Sequence, residues 1–183
     1  MSGSRRDQIL ARSAQLFAER GFHGVSVDDI GTACGISGPA LYRHFAGKDA
    51  ILAQMLVQIS AELVDEGSRR RMAAADPRAA LDALVAWHIE FALTHPALIV
   101  VQEREWTNLP FEDRNAVRTL QRCYIDSWVD VVRLLRPELD RPTARACVQA
   151  VFGLLNSTPH SARISRARMS ELLQQMALAA LHG

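Results

Sequence analysis

Apolar residues in this chain recur every three or four positions almost from end to end, and no stretch places them at every second one. A helix needs the first spacing to keep its apolar side chains on one face; a half-buried strand needs the second. β-Branched residues are scattered, so the pattern predicts an all-α fold. The punctuation agrees. Ser4 before RRD opens a helix to Arg20, with Ile9, Leu16 and Phe17 inward, and Gly21 ends it. Ser26 with Asp29 three residues on has capping-box spacing, opening a short helix through Cys34 with Ile30, Ala33 and Cys34 inward. Gly35 stops that helix, Ser37 caps the next, and Pro39 sits in its first turn, where a missing N–H does no harm. Residues 27–45 therefore read as helix, tight glycine turn, helix.

Beyond Gly47 a long helix is predicted from Lys48 to about Arg71, and others over 76–95, 96–107, 110–136, 143–158 and 169–181. Prolines stand at nearly every one of these boundaries. The organisation expected is a helix-turn-helix head over residues 1–47 and a helical body over 48–183.

Composition narrows the function. Residues 1–50 hold six Lys and Arg against five Asp and Glu, and the remainder fifteen against fifteen, so bulk charge does not draw this chain to nucleic acid. Any such surface must come from the placement of a few donors. Three cysteines without CxxC spacing argue for reduced thiols in a cytoplasmic protein, against a disulfide scaffold or zinc site. The N-terminus lacks the apolar core of a signal peptide, and apolar runs such as ALIVV are far too short for a membrane span; a soluble protein is expected. No catalytic or dinucleotide motif is present, so no catalytic residue and no cofactor is assigned. His88 and His95 are two helical turns apart, but further ligands for a metal are lacking.

The segment SGPALYRHFAGKD, residues 37–49, says most about function. At 100° per residue Leu41 and Phe45 fall together and face the first two helices. Pro39, Ala40 and Arg43 fall opposite, with Tyr42 and His44 on the flanks. Small residues in front of an arginine let a helix lie deep in a major groove, where a guanidinium reaches guanine O6 and N7. Tyr42, His44 and Lys48, and the helix starts at Ser26 and Ser37, are placed for phosphates.

Residues 5–52, including ILARSAQLFAERGFHGVSVDDIGTACGISGPALYRHFAGKDAIL, resemble the DNA-binding domain of the TetR family of transcriptional regulators. The match lies in F-x-E-x-G-F, in V-D-D-I-G-x-A-C-G-I-S, in L-Y-R-H-F and in the K-D-x-I-L opening of the fourth helix. The resemblance implies DNA contacts at Ser26, Ser37, Gly38, Pro39, Ala40, Tyr42, Arg43, His44 and Lys48. Gly38, Pro39 and Ala40 lack the polar side chains of many relatives, so base-specific hydrogen bonding rests largely on Arg43.

It also implies a helical body that binds a ligand and forms a homodimer through the last two helices, with two heads one DNA turn apart on a palindromic operator. Aromatic mass concentrates at Trp87, Phe91, Trp106, Phe111, Tyr124, Trp128 and Phe152. Segments 100–129 and 152–161 are similar to a branch controlling fatty-acid, steroid or other acyl-CoA catabolism. The effector site is accordingly expected at Trp87, His88, Phe91, Arg104, Trp106, Arg122, Trp128, Phe152 and Asn156, the arginines with Arg118 serving the phosphates of an acyl thioester. Asn156 reads equally as a helix-end cap, and Glu103 and Glu105 as solvated or ion-paired residues. Three functions stay open: a repressor released by a hydrophobic molecule, either an acyl-CoA or a drug-like compound of an efflux system; a constitutive DNA-binding dimer with a filled core; and an enzyme acting on a hydrophobic thioester.

Overall fold

The structure of the chain, a computed structural model, describes residues 4–182. Within them it holds helices and one 3-10 turn and no strand. The chain divides into two compact units, one built from the chain up to Ile59 with Ala97–Arg118, the other from Ser60–Pro96 and the chain after Thr119. The first unit is larger than the head expected over 1–47, because its core draws on a second, distant segment.

In that first unit α1 (Arg5–Arg20) starts at the Ser4 cap the sequence predicts, as a full capping box, the Asp7 carboxylate accepting from Ser4 N–H at 2.9 Å and from its hydroxyl at 2.8 Å. The second box, Ser26 with Asp29, opens α2 (Val27–Cys34) at 2.8 and 2.6 Å. Helix α2 turns Val27, Ile30, Gly31 and Cys34 toward the core, an i, i+3, i+4, i+7 stripe; Ala33, expected inward, falls outside that arc and is exposed. Gly35 ends the helix in the left-handed region at φ 66°. Close approach matters at Gly31, where a Cβ would stand 2.8 Å from the Ile36 carbonyl oxygen.

Helix α3 (Gly38–Leu41) is shorter than the eight residues expected. Past Leu41 the chain tightens: Arg43 N–H bonds Ala40 O at 3.3 Å, and Leu41 O accepts from both His44 N–H (2.9 Å) and Phe45 N–H (3.1 Å). Leu41 and Phe45 are buried as predicted, against Ile9, Phe17, Phe22, Ile30 and the first turns of α4 (Lys48–Ala73). Val101 of α6 (Pro96–Arg104), Leu109 and Val117 complete this core. The helix expected to reach residue 107 breaks at Glu105 into a 3-10 turn, Trp106–Asn108, before α7 (Phe111–Leu135).

The second unit joins the later turns of α4 and α7 to α5 (Pro77–Thr94), α8 (Arg141–Leu155), α9 (Thr158–Ser161) and α10 (Arg166–His182). Asp76 caps α5 and Asp140 caps α8, accepting from Ala79 N–H (2.8 Å) and Thr143 N–H (2.9 Å), with a proline in the first turn of each. Helix α10 packs on α5 and α8, burying Met169, Leu173, Ala177 and Leu181. Arg141 spans Asp126 and Asp130 at 2.7 Å each and ties α7 to α8. No single helix among the described residues is long and apolar enough to cross a membrane.

Candidate nucleic-acid interface and buried aromatic cage

Arg43 stands exposed on the outer side of the α3 turn, two residues from fully buried Leu41, and no hydrogen bond or ion pair holds its guanidinium among the described residues. Tyr42 beside it is 58% exposed, Pro39 is exposed, and Gly38, Ala40 and His44 are half-buried. The His44 carbonyl accepts from Arg6, which also bonds Gln54 and lies 4.4 Å over the Phe45 ring, so α1 and α4 hold the end of the turn from behind. A Cβ on Gly38 would fall 2.2 Å from Asp28 Oδ1, the end of an exposed side chain that would have to swing aside.

Three of the nine expected DNA-contact residues have internal partners. The Ser26 hydroxyl is taken up by Asp29, whose carboxyl that bond holds below its ordinary range. Ser37 Oγ accepts from Ala40 N–H at 3.4 Å. Lys48 points inward: its Nζ donates to the carbonyls of Phe22 (2.9 Å) and Val25 (3.0 Å) and sits 4.4 Å over the Phe22 ring.

The same loop is gripped from the α6 side. Glu105, expected to be solvated or ion-paired, is 6% exposed; Oε1 accepts from Phe22 N–H at 3.1 Å and Oε2 from Asn108 Nδ2 at 2.8 Å. Of the residues expected at an effector site, Arg104 and Trp106 lie in this first unit: exposed Arg104 reaches Ala18 O at 3.5 Å, and Trp106 packs against the unit's core under Arg118, 5.5 Å away.

In the second unit His88 is buried in a cage of aromatic rings. It stacks on Phe152 at 4.6 Å and Tyr124 at 5.8 Å, and meets Phe91 and Trp128 edge to face. Its Nε2 is 3.0 Å from Asn156 Oδ1 and its Nδ1 3.4 Å from the Tyr124 hydroxyl. Burial lowers the His88 pKa to about 4, so the ring is neutral; the Tyr124 hydroxyl is pushed upward by the same cause. A neutral ring that donates from Nε2 to Asn156 must accept from Tyr124, and half-buried Asn156 keeps its amide nitrogen as a donor. Asn156 ends α8, one of the two roles the sequence leaves open for it, and its side chain bonds His88. Trp87 donates to Leu63 O at 3.4 Å under the Arg70 guanidinium. Arg122 is exposed, and Phe111, counted with the aromatic core in the sequence, is 73% exposed.

Two segments of the chain each match a family model. Residues 9–55 match that of the bacterial regulatory proteins of the tetR family, and residues 74–160 that of a tetracyclin repressor-like C-terminal domain. The chain belongs to the TetR family of transcriptional regulators.

Its relatives include a protein named HTH-type transcriptional repressor KstR2 from Rhodococcus jostii, 36% identical over 131 residues, covering 70% of this chain and 63% of the relative. The protein of that name from Mycobacterium tuberculosis is 29% identical over 144 residues, covering 75% of this chain and 72% of its own. A TetR-family regulator from Bordetella parapertussis superimposes with a TM-score of 0.84 at 28% identity, over 94% of this chain and 93% of the other. Membership places the chain among regulators, not enzymes. Of the rings expected at an effector site Phe91, Trp128 and Phe152 surround His88, while Trp87 and Trp106 do not; Tyr124, aromatic mass in the sequence, is one of the cage's two stacking partners. Gly67 makes room for it, since a Cβ there would lie 2.7 Å from a Tyr124 ring carbon.

Proposed function

We propose that this TetR-family protein is a homodimeric repressor that reads a palindromic operator through Arg43 and is released when a hydrophobic molecule enters the His88 cage. One observation carries the reading: an unpartnered, exposed arginine on a short turn whose other face is locked into a core by Leu41 and Phe45. A guanidinium so placed reads guanine bidentately, while Tyr42, His44 and the small residues Gly38, Pro39 and Ala40 let the backbone approach and set register on phosphates. Repression is favoured by the names of the relatives, which are repressors. Dimerisation falls to the outer faces of α8 and α10, where Ala146, Ala150 and Gly153 are exposed beside Leu172 (43%) and Met176 (46%), small and apolar residues that allow close helix approach.

The cage favours an apolar effector with a hydrogen-bond acceptor, such as the carbonyl of an acyl thioester or a steroid-like ketone. Its rings supply apolar contact, and the Asn156 amide, its oxygen engaged by His88, offers its nitrogen as a donor to an acceptor on the guest. To act, the guest must prefer the conformation that does not bind DNA, by several kcal/mol for a near-complete switch. The test pairs melting with release. Acyl-CoAs, ketosteroids and drug-like amphiphiles are screened for a rise in melting temperature, and hits are titrated against protein bound to a duplex enriched from a random pool. The reading expects carbonyl-bearing apolar compounds to raise the melting temperature and release the duplex, and both effects to vanish in Asn156→Ala. Stabilisation without release would make the protein a constitutive binder.

A further inference from the structure

The Phe22 peptide is held at both ends. Its carbonyl accepts from Lys48 of α4 and its N–H donates to Glu105 at the break between α6 and the 3-10 turn. This peptide sits at the α1–α2 corner, two residues after α1 ends and four before the Ser26 cap of α2. A second bond leads away from Glu105. A carboxylate only accepts, so Asn108 must present its NH2 to Oε2, which turns Asn108 Oδ1 toward His23 Nε2 at 3.1 Å and makes that nitrogen a donor. Phe22 and His23, adjacent in sequence, are thus both tied to the 105–108 corner, one directly and one through Asn108.

The arrangement is costly unless it has a use. Glu105 is 6% exposed, and a buried carboxylate is tolerated only where donors meet it. Here the donors are a backbone N–H of the head and a side chain of its own turn. An apolar residue at 105 would fill the space but give the Phe22 N–H no acceptor; the Glu105 side chain supplies one at 3.1 Å and so fixes its direction. What that direction controls is the exit of the chain into α2. Gly31, packed close against the Ile36 backbone carbonyl, then passes the orientation of α2 to the α3 turn.

We infer that Glu105 is a positioning residue for DNA binding: by fixing the Phe22 peptide opposite Lys48, it sets the angle at which α2 and the Arg43 turn leave α1. The DNA-reading unit is therefore completed by a residue 57 positions beyond Lys48 in the chain, on the segment that follows α6. This inference rests on the DNA-binding reading above, and the experiment separates the two.

Full-length protein first enriches a duplex from a random pool. Wild type, Glu105→Gln, Glu105→Ala and the core variant Leu109→Ala are then compared on that duplex and on an unrelated one, at a temperature where each is folded by circular dichroism. Glu105→Gln keeps an acceptor for Phe22 N–H and stays within about threefold of wild type, while Glu105→Ala loses about tenfold or more on the enriched duplex, the scale of one hydrogen bond to a charged group. Binding of Glu105→Ala to the unrelated duplex stays at the wild-type level. Leu109→Ala, which removes buried volume from the same core without touching the Phe22 peptide, lowers the melting temperature and leaves the preference for the enriched duplex intact. Equal preference in Glu105→Ala and wild type overturns the inference, as does a loss that Leu109→Ala reproduces at matched melting temperature. A wild-type protein that enriches nothing overturns the DNA-binding reading itself, and the inference with it.

Discussion

His88 and Lys48 place a charge-bearing side chain in opposite circumstances, and each has a consequence that a titration reads. His88 is folded with a pKa near 4 against an ordinary 6.5, so between those values the unfolded chain takes up the proton that the cage refuses. The stabilisation is whole above pH 6.5 and drains as pH falls toward 4, by an amount on the order of 3 kcal/mol. Urea unfolding at pH 7 and pH 4.5 should show a steeper acid loss in wild type than in His88→Phe, which keeps a stacking ring but no titrating nitrogen; parallel losses would mean that His88 is already charged in the cage. The sequence places Lys48 for a phosphate. The structure supplies a different reason for it, two carbonyls and a ring. Lys48→Ala should weaken duplex binding while leaving the slope of log affinity against log salt unchanged, whereas a phosphate contact predicts a slope smaller by about one. Glu105 was misread for a related cause. Sequence spacing shows which neighbours lie on the same helix, and the partner of Glu105 is a backbone N–H 83 residues away.

Elements were far more legible than partners. The two capping boxes, the glycine stop at 35 and the proline-started helices at 77 and 141 all rest on local chemistry, and a few neighbouring residues suffice to write them. Errors gathered where tertiary contacts decide. Helix α3 tightens early because its carbonyl at Leu41 serves two donors, and the helix after Pro96 stops at Glu105 because that side chain turns inward to the loop. Gly31 tests how closely α2 must approach the turn. Gly→Ala inside a helix normally stabilises by about 1 kcal/mol. Here the new methyl would meet the Ile36 carbonyl oxygen at 2.8 Å, so Gly31→Ala should cost about 2 kcal/mol in thermal unfolding and reduce duplex affinity. Unchanged or raised stability would show that the turn has room to yield.

At the scale of the molecule, the chain is a family member with a head and a body, yet its compact units do not follow that division in sequence, since Ala97–Arg118 folds with the N-terminal helices. Hydrophobic period and turn residues mark helices without saying which distant helices share a core, so the expected boundary at 47 fell where local signals change. The sequence names the cage's rings within a larger aromatic set that also holds Trp87, Trp106 and Phe111, which lie elsewhere, because composition does not say which rings meet; the neutral polar line through Tyr124, His88 and Asn156 is not legible there. The central claim is that Arg43 reads base edges from a rigid turn, and selection from a random duplex pool tests it most directly. Wild type is predicted to enrich an inverted repeat with half-sites about one helical turn apart and a guanine at a fixed place in each; Arg43→Ala should retain low-salt binding to any duplex and enrich nothing. The same repeat enriched by Arg43→Ala, with the same guanine, would contradict the account.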